Sequence, residues 1–290
     1  MMVSIVIVNF NCGSLLVDCV RSCLNSTVPV QVFVSDNGSV DDSIEKLKKE
    51  IIDERLVIHL NHANLGFAKG SNVVLPLAKG DFILFLNPDC MIKPDTIEKM
   101  LQEMALKPEV GMAGCLIRNL DGSEQAGCRR RVPTPWRTLV RMLWLDRLFP
   151  NHPKFESVIM HQKTLPKEVV CKEAISGAFM FVRRTAMEQV GFLDEGYFLH
   201  CEDLDWCMRF RQKKWQILFV PHVEVSHVKG GCSVNRPIRV EWHKHKGMVR
   251  FYLKFFRHQY PWPLMLLVVT SVWVRFVILC GVLTMKRFFR

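Results

Sequence analysis

The stretch FILFLNPDC, residues 82–90, indicates the fold class. Five apolar residues run without interruption into Asn87-Pro88-Asp89. A short apolar run closed by turn-forming residues predicts a buried β-strand. A carboxylate directly behind such a strand has two explanations. Asp89 either belongs to a plain turn or faces a ligand at the carboxyl end of a sheet.

Three similar apolar runs precede this stretch and alternate with helical patterns. The strand candidates are VSIVIV (3–8), VQVFVS (30–35) and LVIHL (56–60), and the helical patterns cover 14–26, 41–52 and 68–79. Strands and helices alternate in this way when a parallel sheet carries helices on both faces. We therefore predict a Rossmann-like α/β fold with a mainly parallel central sheet.

Polar residues stand directly behind three of the four predicted strands. Asn9 follows the first strand, Asp36 the second, and Asp89 the fourth. In open α/β sheets, ligands bind beyond the carboxyl ends of the strands. These side chains therefore indicate one shared crevice.

Composition excludes several classes of protein. The chain has 290 residues, 49% of them hydrophobic, which is enough for one large or two modest folded domains. Its 11 cysteines lack regular spacing and C-x-x-C pairs, which argues against a disulfide framework or a zinc site and for a reducing compartment. The first apolar run is too short for a signal peptide and has no basic leader.

The net charge of +11 is unevenly distributed. Residues 236–290 hold 11 of the 39 Lys and Arg residues and one acidic residue, Glu241, so residues 1–235 are nearly neutral. A neutral body without nucleic-acid-binding motifs predicts no nucleic-acid partner. The basic segment predicts a surface partner instead.

An apolar run at Leu264–Leu283 predicts contact with a membrane, since roughly twenty apolar residues can span a bilayer. An ordinary buried helix is the alternative. Arg275 near the middle of the run would be costly in a span, and a single span would export the basic end of the chain against the positive-inside tendency. We therefore expect a re-entrant or in-plane helix pair on the cytosolic leaflet, held by anionic lipids.

Several motifs have both a structural and a functional interpretation. Asp36-Asn37-Gly38-Ser39 is either a turn or a contact to a nucleotide base. The two glycines at Asn64–Asn72 open a helix and could let backbone N–H groups reach a diphosphate, although no dinucleotide fingerprint or P-loop is present. Asn87-Pro88-Asp89 is a turn, or a D-x-D metal site whose first carboxylate is an amide.

The acidic cluster at 202–205 and one histidine also have both a structural and a functional interpretation. Glu202, Asp203 and Asp205 either form a solvated helix start, with Asp205 pairing Arg209, or supply a general base. His227 is either a structural histidine or a metal ligand.

Seven stretches, taken in order, resemble the inverting family 2 glycosyltransferases with a GT-A fold, and most closely their rhamnosyltransferase-like branch. They are VSIVIVNFN, SDNGSVDDS, NLGFAKGSN, FLNPDC, ISGAFMFVRR, GFLDEGYFLHCEDLDWCMR and HVKGGCS. The resemblance implies a nucleotide-sugar-binding half at 1–110 and an acceptor-binding, catalytic half of the same GT-A domain at 111–235. The membrane-associated helical segment follows at 236–290.

The resemblance implies a role for each donor-side residue. Asn9 and Asp36 would lie at the nucleotide base and ribose. Asn64, Gly66 and Gly70 would line the diphosphate.

A divalent metal, Mg²⁺ or Mn²⁺, is implied beside the diphosphate. Asp89 would hold the metal, with Asn87 beside it and His227 completing the shell. Because Asn87 stands where many family members have an Asp, the metal shell would be thinner than usual.

On the acceptor side, the resemblance implies Asp203 as catalytic base, with Glu202 as the alternative. The residues implied to border the acceptor are Gly177, Ala178, Trp206 and Arg209. His200 stands where the family often has Tyr, which puts the acceptor contacts in question rather than the chemistry.

The expected function is inverting transfer of a sugar onto a lipid-linked saccharide in bacterial cell-surface polysaccharide synthesis, such as that of O-antigen. dTDP-rhamnose is the first expected donor and UDP-sugars come next, with the enzyme at the cytoplasmic face of the inner membrane. The alternatives are a polyprenyl phosphate glycosyl transferase and a non-catalytic, membrane-tethered nucleotide-sugar binder.

Overall fold

The computed structural model describes residues 1–149, 152–156, 158, 160–161, 163–228, 230–232 and 237–288. Its first part contains the predicted alternation of strands and helices. The elements are β1 (Val3–Asn9), α1 (Ser14–Leu24), β2 (Val30–Asp36), α2 (Ser43–Glu50), β3 (Leu56–Leu60), α3 (Phe67–Val74) and β4 (Phe82–Leu86). All four strands predicted from the apolar runs are confirmed.

The later part of the chain is less regular. It contains β5 (Cys90–Met91), α4 (Thr96–Ala105), β6 (Val110–Arg118), β7 (Arg129–Arg130), α5 (Pro135–Met142), α6 (Leu145–Leu148), β8 (Val170–Cys171), β9 (Ala174–Ile175), β10 (Phe179–Arg183), α7 (Arg184–Val190), α8 (Glu202–Gln212), β11 (Gln216–His227), α9 (Pro237–Phe256) and α10 (Trp262–Phe288). Several of these strands are only two residues long, too short to leave a periodic signal in the sequence.

The central sheet has the strand order β3-β2-β1-β4-β10-β6-β11-β5, and β8 pairs with β11. Strands β1 to β4 are mutually parallel, as predicted. Strand β11 is also parallel to β6, whereas β10 is antiparallel to both β4 and β6, so the sheet is mainly parallel, as predicted, with antiparallel strands in its second half. A separate antiparallel ribbon joins β7 to β9.

The core lies on both faces of this sheet, because the strands are covered by helices on each side. Ile5 and Ile7 point into one apolar layer and Val6 points into the other. In the second layer, Phe85 meets the ring of Trp206 edge-on, with 5.0 Å between ring centroids. Burial on both faces explains why the strand sequences are continuous apolar runs.

The two predicted halves of the domain share this one sheet. Strand β10, from the second half, pairs with β4 from the first half. The predicted boundary at 235 lies outside the described residues, which stop at 232 and resume at 237. Beyond it, α9 and α10 form an antiparallel pair in which Trp242 contacts Trp273 and Phe276 at centroid distances of 5.2 and 5.6 Å.

Helix α10 is long and apolar enough to cross a membrane. The most apolar 18-residue window of its segment Trp262–Met285 has a mean hydropathy of 2.4, and only 17% of that window is buried. Met265, Val268 and Val272 form the buried stripe of the helix. The exposed faces are mostly apolar, which agrees with a membrane-associating segment, although they also include Arg275.

We predict that Phe85→Ala lowers the free energy of unfolding by about 3–5 kcal/mol, because it leaves a cavity in a close-packed layer. Urea denaturation followed by circular dichroism measures this change. Leu106→Ala is the control, since Leu106 is 85% exposed and its substitution should change stability by less than about 0.5 kcal/mol. Equal effects of the two substitutions would contradict the described core.

Candidate active site

The ends of β1 and β2 bring Asn9 and Asp36 together. They are register partners in the two parallel strands, and Asn9 Nδ2 donates to Asp36 Oδ1 at 2.8 Å. The same amide group lies 3.0 Å from Ser39 Oγ and 2.9 Å from Ser43 Oγ. Asn9 is fully buried. In this structure, Asn9 holds the loop after β2 in place.

The Asp36 carboxylate is fixed at the edge of the crevice by its own loop. The Ser39 backbone N–H donates to Oδ2 at 3.0 Å, and the Ser39 hydroxyl donates to Oδ1 at 2.6 Å. Such a turn matches the structural interpretation of the motif. It also leaves Asp36 rigidly oriented, as a carboxylate that recognises a nucleotide would need to be.

Glycines 66 and 70 allow a close approach between two parts of the chain. Gly66 has φ +80°, and a Cβ there would lie 2.3 Å from the carbonyl oxygen of Phe198. A Cβ on Gly70 would lie 2.9 Å from Asn37 Oδ1. Asn64 Oδ1 accepts the Gly66 N–H at 3.0 Å, which fixes the turn into α3.

The backbone N–H groups of these two glycines are used inside the protein. Gly66 donates to Asn64, and Gly70 donates to the Gly66 carbonyl at 3.0 Å. The predicted role of this segment at a diphosphate therefore needs other N–H groups, and it stays a prediction.

Asp89 and His227 form a compact pair beyond β4 and β11. His227 Nε2 lies 3.0 Å from Asp89 Oδ1, and both side chains are buried. Gln125 sets the state of the imidazole ring. Its Nε2 donates to Asn119 Oδ1 at 2.9 Å, so its Oε1 is free to accept the His227 Nδ1–H at 2.6 Å.

This arrangement fits a divalent cation. With the proton on Nδ1, the lone pair of His227 Nε2 faces a carboxylate oxygen, and a cation between the two would satisfy both. Carboxylate oxygen and imidazole nitrogen suit Mn²⁺, and the oxygen ligand suits Mg²⁺. Asn87 Nδ2 lies 3.4 Å from His227 Nε2, so Asn87 stands beside the pair, as predicted from the sequence.

Cys90 also lies within reach of this pair, but its thiol is a poor ligand. Burial raises the pKa of Cys90 well above its usual value, with the Asp89 carboxylate adding to the effect. The group is therefore a neutral thiol, whereas thiolates are the form that binds metal. Its Sγ donates to the carbonyl oxygen of Ala178 at 3.5 Å instead.

Asp203 is held by a basic residue that sequence reasoning did not assign to the site. Arg130 Nη2 forms an ion pair with Asp203 Oδ2 and donates to the carbonyl oxygen of Ile175 at 2.6 Å. The Gly177 N–H donates to the same carboxylate oxygen at 2.9 Å. The only signal of Arg130 in the sequence was the run Arg129-Arg130-Arg131, which does not reveal which arginine faces the carboxylate.

A short path of hydrogen bonds connects Asp203 to the end of β4. Gly177 bonds Asp203, and the next residue, Ala178, accepts the Asn87 N–H at 3.0 Å. Gly177 and Ala178 therefore lie between the Asp89 pair and Asp203. The structure thus places Asn87, beside Asp89, close to Asp203.

Glu202 differs sharply from its neighbour Asp203. Its side chain is buried, and its Oε2 has no hydrogen-bond partner in the described structure. Burial, followed by repulsion from the Asp203 carboxylate, raises the pKa of Glu202 to about 8. At neutral pH, Glu202 is therefore mainly protonated.

The backbone entering α8 is strained directly before these carboxyls. His200 and Cys201 have φ values of 67° and 72°, in the left-handed region. Two consecutive non-glycine residues in this region cost free energy and persist only when surrounding contacts impose them. One such contact is Gly247 of α9, where a Cβ would lie 2.9 Å from the carbonyl oxygen of His200.

Trp206 and Arg209 have packing roles, which differs from their predicted contact with the acceptor. Trp206 is fully buried, and its indole N–H donates to the carbonyl oxygen of Gly191 at 2.9 Å. Arg209 Nε donates to Asp205 Oδ1 at 2.7 Å, and its Nη2 donates to the carbonyl oxygen of Phe192 at 2.7 Å. Both side chains point along α8 into the core and toward the loop that precedes it.

The structure also joins Cys12 and Cys232 in a disulfide, with 4.6 Å between their Cα atoms. This pair was not predicted, because 220 residues separate the two cysteines and their spacing carries no signal. The other nine cysteines are free, so a disulfide framework is absent, as expected. The bond connects the chain after β1 to the chain after β11 and His227.

Comparisons with known proteins agree with this fold and site. The sequence pattern of the family "Glycosyl transferase family 2" matches residues 4–189. The N-acetylglucosaminyl-diphospho-decaprenol L-rhamnosyltransferase of Mycobacterium tuberculosis is 30% identical over 220 residues, covering 72% of this chain and 70% of that protein. Rhamnosyltransferase WbbL of Escherichia coli K12 is 25% identical over 173 residues, covering 56% of this chain and 60% of WbbL.

A solved structure supports the fold as well. The crystal structure of GalNAc-T7 with UDP, GalNAc and Mn²⁺ superposes with a TM-score of 0.63 at 18% identity, covering 89% of this chain and 48% of that chain. This chain thus spans about half the length of that structure. Fold and site define a GT-A-type α/β enzyme. The chain belongs to glycosyltransferase family 2, and rhamnosyltransferases are among its relatives.

We predict that Gln125→Ala weakens Mn²⁺ binding about 10–100-fold, because the imidazole of His227 loses the partner that fixes its tautomer. Electron paramagnetic resonance of free Mn²⁺, titrated with protein and a nucleoside diphosphate, measures the affinity. Gln102→Ala, on an exposed position of α4, serves as control and should bind as the wild type does. Unchanged affinity in Gln125→Ala would count against the Asp89–His227 site.

Glu202 should make the folded protein less stable as pH rises. Between about pH 5 and pH 8, the unfolded chain binds fewer protons at this residue than the folded protein, whose Glu202 has a pKa of about 8. The free energy of unfolding then falls, by up to about 1.4 kcal/mol per pH unit. Glu202→Gln removes this contribution, so the variant should gain stability relative to wild type from pH 5 to pH 8.

Urea unfolding of both proteins at pH 5, 6, 7 and 8 tests this. Glu188→Gln is the control, since Glu188 is exposed on α7 and should follow the wild-type pH dependence. Parallel pH dependences of wild type and Glu202→Gln would disprove the raised pKa.

Proposed function

We propose that this enzyme transfers a sugar, rhamnose from dTDP-rhamnose, onto a lipid-linked saccharide with inversion at the anomeric carbon. The observation that carries this proposal is the short hydrogen-bonded path between the Asp89–His227 pair and Asp203. It provides a site for a diphosphate leaving group and, a few residues away, a carboxylate for the acceptor.

The donor half of the site would bind the nucleoside diphosphate. Asp36 would recognise the base or ribose, and Asn9 would keep Asp36 oriented through their hydrogen bond. Asn64, Gly66 and Gly70 would shape the wall near the diphosphate. Asp89 and His227 would hold the divalent cation, which, when bound, stabilises negative charge on the leaving diphosphate.

Asp203 would act as the general base. The ion pair with Arg130 and the bond from the Gly177 N–H fix the position of its carboxylate. An ionised carboxylate can accept the proton of the acceptor hydroxyl as that hydroxyl attacks the anomeric carbon. Attack from the face opposite the leaving diphosphate inverts the configuration.

Glu202 is the weaker candidate for this role. Its pKa of about 8 leaves it protonated at neutral pH, so it cannot accept a proton there. Its buried Oε2 without a partner is a site where a polar group of the acceptor could bind.

The identities of donor and acceptor rest on the relatives. The Mycobacterium tuberculosis relative is named for rhamnosyl transfer and for N-acetylglucosaminyl-diphospho-decaprenol. Its name supports rhamnose as the sugar and a polyprenyl-diphosphate saccharide as the acceptor. The GalNAc-T7 structure contains UDP and Mn²⁺, which keeps UDP-sugars as the second class of donor and favours a divalent cation.

Membrane association through α10 is part of the proposal. Helix α9 carries the exposed basic residues Lys246 and Arg250, and α10 packs along it at Trp242. A helix held in this way meets the bilayer with its free apolar faces. This supports an in-plane or re-entrant contact with the cytosolic leaflet of a bacterial inner membrane, where a lipid-linked acceptor is available.

Release of dTDP from dTDP-rhamnose tests the proposal, with Mn²⁺ or Mg²⁺ and a polyprenyl-diphosphate GlcNAc acceptor. We expect acceptor-dependent release that falls about 10²–10⁴-fold in Asp203→Asn. Asp121→Asn, on an exposed turn, should retain activity. Titration calorimetry with dTDP should give equal affinities for wild type and Asp203→Asn.

Other outcomes distinguish the alternatives. If a nucleoside diphosphate is released only from a UDP-sugar, the donor assignment is wrong and the proposed transfer reaction stands. Transfer onto polyprenyl phosphate would favour the polyprenyl phosphate glycosyl transferase. Nucleotide-sugar binding without release across a panel of donors would indicate a non-catalytic binder.

A further inference from the structure

Helices α5 and α6 expose an unusual group of large apolar side chains, which we name the α5–α6 patch. Its members are Met142 (46% exposed), Leu143 (62%), Trp144 (64%), Leu148 (67%) and Phe149 (51%). Single exposed apolar residues are common on soluble proteins, but five within eight positions form a contiguous patch. Such patches mark binding surfaces.

The segment that carries the patch is anchored to the protein on its other side. Leu139 and Val140 are buried in the core layer, and Asp146 is buried while accepting from Arg141 Nη1 at 3.2 Å. Thr138 Oγ1 lies 2.6 Å from the hydroxyl oxygen of Tyr252 on α9. The backbone is thus fixed with the patch facing outward.

The patch adjoins the outer surface of α10. Helix α5 packs directly against α10, whose own exposed residues include Leu267 (54%), Val277 (67%) and Ile278 (60%). The two sets of apolar side chains thus belong to elements that contact each other. A flat apolar surface assembled from two separate elements suits a bilayer better than a narrow peptide groove would.

The charges around the patch indicate which kind of surface it binds. Residues 135–149 carry Arg137, Arg141 and Arg147 against a single acidic residue, Asp146. Arg137 pairs with Glu173 and Arg141 pairs with Asp146, whereas Arg147 is exposed beside the patch. Basic residues interleaved with Trp, Phe and Leu are typical of segments that lie at the interface of anionic membranes. Trp144, at the turn between the helices, has the amphipathic ring that favours this depth.

We propose that α5–α6 is a second membrane-inserting element, which enters the headgroup region of an anionic bilayer beside α10. This rests on the proposed function only through α10, whose contact with the membrane the patch would extend. Two separate contacts fix the orientation of a protein on a surface, whereas one helix alone leaves it free to rotate about that helix.

The orientation matters for the acceptor. Arg130, which pairs with Asp203, lies five residues before Pro135, the first residue of α5. Five residues span at most about 18 Å. Insertion of α5–α6 would therefore hold the catalytic carboxylate close to the headgroup layer, where the saccharide of a lipid-linked acceptor lies.

Partition onto vesicles tests the proposal with the full-length chain. Leu143, Trp144, Leu148 and Phe149 are replaced together by Ser, and binding to phosphatidylcholine vesicles with 30% phosphatidylglycerol, roughly the anionic fraction such surfaces respond to, is measured by flotation. We expect the partition coefficient to fall about tenfold or more, because several large apolar side chains no longer leave water.

A matched control substitutes equally exposed apolar residues on other surfaces. Ile52 (95% exposed), Leu77 (47%), Leu106 (85%) and Leu120 (74%) are replaced together by Ser, and the partition coefficient should stay at the wild-type value. Circular dichroism of both variants verifies that the fold is retained.

A second measurement locates Trp144 directly. Tryptophan emission of wild type and of Trp144→Phe is compared in vesicles with brominated acyl chains, which quench inserted tryptophans. The difference between the two spectra is the emission of Trp144, and it should be quenched. The emission lost on Trp215→Phe should be unquenched, since Trp215 lies between α8 and β11, outside both α5–α6 and α10, and donates to Gln189. This readout holds even if the four-residue variant fails to fold.

The outcomes separate this inference from the proposed function. If wild type binds vesicles, and the patch variant binds equally with Trp144 unquenched, α5–α6 does not insert and only this inference fails. If the patch variant instead halves the mass of the detergent-solubilised protein, the patch is an interface between two copies and the inference is overturned. If the wild type binds vesicles but transfers no sugar, the proposed function alone fails.

Discussion

The antiparallel pairing of β10 with β4 is the constraint on which the site depends. It brings a strand from the second half of the chain against the strand that carries Asn87 and Asp89 at its end. The residues just before β10, Gly177 and Ala178, then lie between Asn87 and Asp203. Without this pairing, the diphosphate side and the acceptor side of the site would belong to separate layers.

The two adjacent carboxyls at the start of α8, those of Glu202 and Asp203, have different electrostatic environments. Asp203 has an arginine and a backbone N–H for partners. Glu202 is buried beside it and its Oε2 has no partner in the described structure. Burial and the neighbouring Asp203 carboxylate raise the pKa of Glu202 to about 8. The strained backbone at His200 and Cys201 positions both of them.

The C-terminal helices connect catalysis to a surface. Gly247 of α9 lies against the carbonyl oxygen of His200, two residues before Glu202. Trp242 of α9 packs against α10, which carries a long series of exposed apolar side chains. A membrane that holds α10 would thereby act on the same helix pair that shapes the entry to α8. Anchoring and active-site geometry share one element.

The sequence by itself determined β1 to β4, the carboxyl-end residues Asn9, Asp36 and Asp89, and the glycosyltransferase family, because periodic apolar runs and ordered motifs are local patterns. Tertiary structure alone decided which arginine faces Asp203, that Trp206 lies in the core, and that β10 runs antiparallel. Each of these depends on contacts between residues far apart in the chain. A local pattern specifies which face of an element is buried, but not which partner it meets there.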